Sequence, residues 1–288
     1  MKKRNRSAIF FMLPALLVYC CVVVLPALYT AFLSLFKWNG LGEKKFVLFR
    51  NYVNLFTTDA VFKTALKNNI IWIILTLLFT MTIALLLAML LNRKFKGRVV
   101  YRAIFYFPYM LSWIVIGIIW KWIYNPNIGF LDSLLNLLGI QTSGAGWLSD
   151  PKIALYCVFA AALWQGVGQP MLYFLAGLQG IPQELYEAAA VDGAGKVATF
   201  FNVTIPQLKE TFVIVLATLV IASLKVYDVV YVMTNGGPVN STQTLASYMY
   251  AQTFSYSNLG TGSTIVVVMM VMMMVIIIPY VLYTTKDE

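Results

Sequence analysis

The chain contains no histidine, and its 288 residues include only 21 Lys or Arg and 11 Asp or Glu. Without histidine, the commonest proton shuttle and metal ligand is missing. Charged residues make up 11% of the chain, against about 25% in an ordinary soluble domain, which excludes a large water-facing surface. Cysteine is equally scarce. Cys20, Cys21 and Cys157 lie inside apolar runs without metal-ligand spacing, so neither a disulfide framework nor a zinc site is indicated. A membrane-embedded enzyme would need His, Asp or Glu clustered near one interface, and no such cluster exists. An ion-driven secondary transporter would need an intramembrane relay of acids. Asp228, three residues from Lys225, is the nearest approach to one.

What is present is apolar: 60% of the residues are hydrophobic, and the mean hydropathy is +0.78. A crossing needs about 20 mainly apolar residues. Six stretches qualify, at roughly 8–36, 70–91, 103–123, 153–178, 211–233 and 264–283. The first begins like a secretory signal, but its apolar part is far longer than the about 7–15 residues of a signal core, so it is read as a retained span. The methionines of the sixth are read as apolar packing rather than a metal path. The net charge of +10 sits in short clusters between these runs, not on a basic face with stacking aromatics, so nucleic acid is not an expected partner.

Six spans place both termini on one side. That side collects 12 Lys and Arg, Lys286 among them; the other collects eight, and Lys225 falls within the fifth span. The bias puts the termini in the cytoplasm. The loop 37–69 goes against it. Its "NYVNLFTTDAVFKTALKNN" has apolar residues at helical spacing, which predicts an interfacial helix.

One polar stretch, "EAAAVDGAGKVATFFNVTIP" from Glu187 to Pro206, interrupts the pattern. Its "GAGK" invites comparison with a phosphate loop, G-x-x-x-x-G-K-[ST]. The first glycine of that pattern would fall at Ala190 and the hydroxyl residue at Val197, so it fails twice. The local chemistry instead describes two short helices and a turn. Pro182 suits a first helical turn, and Glu184 and Glu187 follow near its positive end. Ala188, Ala189 and Ala190 favour helix, Asp192-Gly193 supplies a stop, and Pro206 ends the second helix. Val197, Phe200 and Phe201 give that second helix an apolar face. Such a hairpin suits docking of another protein, and it equally suits an amphipathic connector lying on the membrane.

The stretch resembles the EAA loop of permease subunits in bacterial ABC importers, whose pattern is E-A-A-x3-G-x9-[hydrophobic]-x-[hydrophobic]-P. Glu187, Ala188, Ala189, Gly193, Val203, Ile205 and Pro206 meet every spacing, and Asp192 and Phe200 resemble the sugar-importer branch. "YNPNIGFLDSLLNLLG", "WLSDPKIAL" and "LKVYDVVYVMTNGGPVNST" agree with that branch, so the resemblance covers nearly the whole chain. It implies an all-α membrane protein with the six transmembrane helices of a type I importer permease, a single domain over 1–288. It further implies a non-catalytic subunit that forms half of a sugar pathway in a bacterial cytoplasmic membrane. Its implied partners are a second homologous permease, two ATP-binding subunits and an extracellular or periplasmic solute-binding protein. ATP and Mg would be held by the ATPase subunits, leaving this chain no cofactor or metal of its own.

Polar residues inside spans are costly and suggest a pathway or helix packing. "WQGVGQPMLYF" places Trp164, Gln165 and Gln169 where they can line a cavity, with Gly166 and Gly168 allowing close approach and Pro170 breaking the helix. Packing with glutamine hydrogen bonds is the competing reading. In "SLKVYDVVYVM", Lys225 and Asp228 at i, i+3 are expected to pair, beside Tyr227. By position in the resembling maltose-type permease, Gly166, Gln169 and Ser223 are the expected sugar contacts. The uncharged segment 234–262, "TNGGPVNSTQTLASYMYAQTFSYSNLGTG", is expected to meet the solute-binding protein.

Overall fold

A computed structural model of the chain describes residues 2–140 and 146–284. Lys286, counted above toward the inner face, lies outside the described residues. Helix α1 (Lys2–Tyr19) passes through a π-helical turn, Cys20–Val24, into α2 (Leu25–Leu33). A minimal antiparallel hairpin of β1 (Phe36–Lys37) and β2 (Lys45–Phe46) pairs Phe36 with Phe46 and Lys37 with Lys45. Next come α3 (Arg50–Thr57) and α4 (Ala60–Leu75), which runs through a second π turn, Thr76–Thr80, into α5 (Met81–Asn92). They are followed by α6 (Arg98–Met110), α7 (Trp113–Ile123), α8 (Phe130–Leu137), α9 (Ala154–Gly166) and α10 (Gly168–Gly180). After them stand α11 (Gln183–Val191), α12 (Lys196–Thr199), a π turn at Phe200–Thr204 and α13 (Ile205–Gln207). The chain closes with α14 (Lys209–Leu224), α15 (Asp228–Met233), α16 (Leu245–Tyr250) and α17 (Leu259–Thr284).

Among the described residues, four helical runs are long and apolar enough to cross a membrane: Phe11–Leu33, Ala60–Asn92, Lys209–Met233 and Leu259–Pro279. Helices α6 and α7 make a fifth if taken together, but they meet at 97°. The expected third span is thus broken. Pro108 offers no N–H to the Ile104 carbonyl, Leu111 turns extended at ψ 146°, and Ser112 caps α7 by accepting from the Val115 N–H at 3.4 Å. The expected fourth span falls on α9 and α10. Val167 between them keeps helical angles, and its N–H bonds the Leu163 carbonyl at 3.2 Å, so what the junction lacks is the Pro170 N–H that would pair with Gly166.

The interfacial helix expected within 37–69 is shorter than the apolar spacing suggested. Only Arg50–Thr57 forms a separate helix, and residues 60–69 are the first turns of the crossing helix α4. Hydropathy marks where a chain is apolar, not where its helix begins. The polar first turns of α4 are held by hydrogen bonds that hydropathy does not register.

The chain divides into two compact units, Met1–Ala60 with Tyr248–Val271 and Val61–Ser247 with Met272–Glu288. In the first, the Ser34 carbonyl accepts from Asn51 Nδ2 at 2.8 Å and from Thr264 Oγ1 at 3.3 Å, tying α2, α3 and α17 together. Also in this unit, Tyr248 donates its phenol proton to Asp59 Oδ2 at 2.6 Å. Burial, then this bond to Asp59, pushes the Tyr248 phenol above its ordinary range.

The core of the second unit includes two large clusters. One gathers Trp72, Ile116, Val158, Phe159, Val229 and Val230; the other gathers Ala84, Ala88, Met171, Phe174, Leu208 and Val215. Alanine on α5 and glycine on α10 let backbones approach closely, as small residues do between membrane helices. At Gly177 an added Cβ would run into Thr211 Oγ1 and Leu208, so the contact of α10 with α14 needs glycine there.

Asn68 and Asn69 in the middle of α4 act as buried clamps. Asn68 Nδ2 donates to the carbonyls of Ser241 at 2.8 Å and Gln243 at 2.9 Å. Asn69 Nδ2 donates to the Ser223 carbonyl at 2.8 Å, and its Oδ1 accepts from the Leu245 N–H at 2.7 Å. Replacing Asn69 by Leu strands the buried Leu245 N–H and weakens the hold on the Ser223 carbonyl, and is expected to destabilise the protein by about 1–3 kcal/mol, measured by unfolding in detergent. A second expectation concerns alkaline stability. Because the folded state raises the Tyr248 pKa, the stabilisation is present below the ordinary phenol value of about 10 and is lost as pH climbs above it. Tyr248→Phe should therefore flatten the alkaline limb of the stability profile, and an unchanged limb would assign that limb to other groups.

Candidate functional site

In the second unit, four segments enclose a cavity of about 250 Å³. The α4 segment contributes Trp72, Thr76 and Thr80, which recur every four residues and so share one helix face. The last two bound the π turn, and such turns recur at functional sites. The bend between α6 and α7 contributes Tyr109 and Trp113. Gln165, Gly166, Gln169 and Pro170 come from the α9–α10 junction, and Thr218, Ser223, Lys225, Tyr227 and Asp228 from α14 and the break after it.

Side chains answer several of these breaks in helical pairing. Gln165, 3% exposed, donates from Nε2 to the Leu111 carbonyl at 3.2 Å, where α6 has ended. Its Oε1 is buried without a hydrogen-bond partner and so stands as an open acceptor on a cavity-lining residue. Gly168 lets α10 press against α6: an added Cβ would lie 3.1 Å from the Phe105 carbonyl oxygen and from Tyr106 Cα. Gln169 Nε2 donates to Tyr173 Oη at 2.8 Å. The Ser223 hydroxyl bonds the Leu219 carbonyl at 2.7 Å, while the Ser223 carbonyl is held by Asn69. Thr244 Oγ1 donates to the Val226 carbonyl at 2.8 Å, within the break between α14 and α15.

Of the residues expected along a pathway, Gly166, Gln169, Ser223, Lys225, Tyr227 and Asp228 come together in this cavity. Trp164 does not. Ala162, Gln165, Gly166 and Gln169 share the inward helix face, and Trp164, about 100° from its neighbour, turns away. It is 42% exposed and packs edge-on against Trp120 at 6.1 Å. The expected Lys225–Asp228 pair does not form either. Helix α14 ends at Leu224 and Asp228 opens α15, so the i, i+3 geometry of a continuous helix is lost. Both side chains line the cavity instead.

The second unit also contains the polar hairpin. In it α11 covers Glu187, Ala188 and Ala189, with Asp192 as its C-cap. Gly193 adopts φ +75°, its N–H bonds the Ala190 carbonyl at 3.1 Å, and the Ala194 N–H bonds the Ala189 carbonyl at 2.9 Å. These two bonds form a Schellman closure, which requires a left-handed residue and so favours glycine. Tyr186 Oη lies 3.3 Å from Thr204 Oγ1, linking α11 to the following π turn. Phe200 begins that turn and packs at 5.0 Å against Phe201. Pro206 does not end the second helix as expected. It stands inside α13 just after the π turn, an early-turn position where its missing N–H is tolerated, and the chain turns at Leu208. Val191 and Val197 are 88% and 71% exposed and Phe201 is also exposed, so the hairpin presents an uncovered apolar surface.

Sequence reasoning passed over Trp72, Thr76, Thr80, Asn68 and Asn69. Hydroxyl and amide side chains at four-residue spacing in an otherwise apolar span were the available signal.

Residues 80–285 match the family described as binding-protein-dependent transport system inner membrane component. A probable ABC transporter permease of Pyrococcus horikoshii is 36% identical over 281 residues, 97% of this chain and 96% of that protein. The trehalose/maltose transport system permease MalF of Thermococcus litoralis is 34% identical over 249 residues, covering 86% and 82%. A bacterial alginate ABC transporter, solved in complex with an alginate pentasaccharide-bound periplasmic protein, contains a chain of the same fold. It matches with a TM-score of 0.82 at 20% identity, over 96% of this chain and 93% of that one. With its apolar crossings, its broken helices around one cavity and these relatives, the chain belongs to the inner membrane components of binding-protein-dependent transport systems.

Proposed function

We propose that this chain is a transmembrane subunit of an ATP-driven sugar importer that forms half of the translocation pathway. The observation that carries the reading is the cavity, in which amide, hydroxyl and aromatic groups from four helical segments converge. A neutral sugar is recognised by such groups: its hydroxyls need donors and acceptors, and its ring faces suit Trp72, Tyr109 and Trp113. The Gln165 Oε1 acceptor, on a cavity-lining residue, has no protein partner and would suit a sugar hydroxyl that reached it. At about 250 Å³ the cavity is smaller than the about 300–1,000 Å³ of typical ligand sites, as befits one wall of a path that a second, homologous permease completes. The maltose-system relative supports sugar as the substrate class.

The hairpin from Glu187 to Pro206 is the proposed seat of the ATPase. Its exposed apolar residues sit beside the exposed carboxylates of Glu184 and Glu187, which suits a protein groove better than lipid. Two ATP-binding subunits would supply hydrolysis and hold ATP and Mg, and a solute-binding protein would deliver sugar to the opposite face. The termini then lie in the cytoplasm, and the chain itself carries no catalytic group.

Co-purification of the tagged chain, with ATPase activity assayed in nanodiscs across loaded binding proteins, tests the assembly. A second permease and an ATPase should be recovered; recovery of the intact chain alone, under conditions that preserve known complexes, would sink the reading. Gly193→Pro cannot adopt φ +75° and loses an N–H that is bonded, and Glu187→Lys reverses a charge on the docking face. Both should abolish sugar-stimulated hydrolysis while the chain still reaches the membrane. Gln169→Ala should raise the sugar concentration for half-maximal uptake roughly 2–10-fold in proteoliposomes, the worth of one hydrogen bond to a neutral partner. An unchanged value removes Gln169 from the sugar path.

A further inference from the structure

A second concavity of the same unit, about 770 Å³, lies between the α5–α6 connection and α11. Asn92, Lys94, Arg98 and Arg102 line one side, and Gln179, Gln183, Tyr186 and Glu187 the other. Three cations thus face one carboxylate, and Gln183 Nε2 already donates to that carboxylate at 3.0 Å. Arg102 donates from one guanidinium nitrogen to the Leu91 carbonyl at 2.8 Å, yet its Nε is buried with no partner. The groove also meets the start of α6, a 13-residue helix opened by Gly97 at φ +86°. Its first N–H groups add positive potential to the three side chains. Beside the cations, α6 presents Val99, Val100 and Ile104, all more than half exposed and apolar.

We infer that this groove binds the phosphate of an anionic phospholipid headgroup, with Lys94, Arg98 and Arg102 as its ligands. The unpaired Arg102 Nε and the net positive lining call for an anion. The apolar face of α6 beside them says that the anion arrives with acyl chains attached. Basic clusters immediately beside a membrane-crossing helix take acidic lipid headgroups in this way. The shared chemistry is a phosphate oxyanion, which a free phosphate could also supply. The inference rests on the family assignment only in placing α6 in a membrane, and it does not depend on which solute is carried.

The test uses the full chain purified in detergent and titrated with fluorescent phosphatidylglycerol or phosphatidylcholine in mixed micelles. Phosphatidylglycerol should bind at least about tenfold more tightly, and Lys94→Gln with Arg98→Gln should remove that preference, since each cation near a lipid surface contributes a several-fold factor. Lys94→Arg with Arg98→Lys keeps both charges and should restore it, separating charge from fold. Inorganic phosphate that displaces the lipid at equal concentration would assign the site to free phosphate; failure to compete assigns it to lipid. Equal binding of the two lipids, or full phosphatidylglycerol binding by the charge-neutral pair, overturns the inference. So does cross-linking of position 94 or 98 to an ATPase subunit in the assembled importer with no acidic lipid retained. Sugar-stimulated ATPase activity is read separately, so loss of the lipid site and failure of the importer reading are distinguishable.

Discussion

In hydrocarbon a backbone N–H or C=O has no water to turn to, and everything else in this chain follows from how that demand is met. Unbroken helices meet it themselves, but a path for a polar solute cannot be lined by unbroken apolar helices alone. The chain therefore interrupts its helices near one cavity and supplies several of the interruptions with a buried side-chain partner. Gln165 answers the Leu111 carbonyl, Asn69 answers Ser223 and Leu245, and Thr244 answers Val226. Without these amides and hydroxyls the breaks would be too costly to keep, and the residues that line the cavity would be wound back into regular helix.

The same logic separates the two charged residues of the fifth span. A continuous helix would have brought Lys225 and Asp228 together and neutralised them. The break gives up that pairing and leaves both groups on the cavity wall, a consequence of where the helix stops.

Much of this was legible in the residues. Composition alone placed the chain in a membrane, and the spacing from Glu187 to Pro206 located the hairpin and its glycine stop. Gly166, Gln169 and Ser223 were expected by position in the resembling permease, and all three line the cavity. What the sequence hid depended on direction and on distance along the chain. Trp164 lies next to cavity residues in sequence but on the wrong side of the helix. Asn69 reaches Leu245, and that contact is written in neither segment. The bend after Met110 was masked by apolar residues on both sides, which hydropathy reads as one span even though Pro108 sits just before it.

The Schellman closure at Gly193 has a mechanical consequence. A helix whose last carbonyls are free frays, and a frayed end absorbs displacement. In α11 the terminal carbonyls are taken by the N–H groups of Gly193 and Ala194, and Tyr186 links the helix laterally to the following turn. The short rod is stiff along its length, with its compliance left to the extended residue Pro182 before it and the turn at Leu208 after it. A thrust on the exposed face of such a rod meets a closed helix end and not one free to unwind.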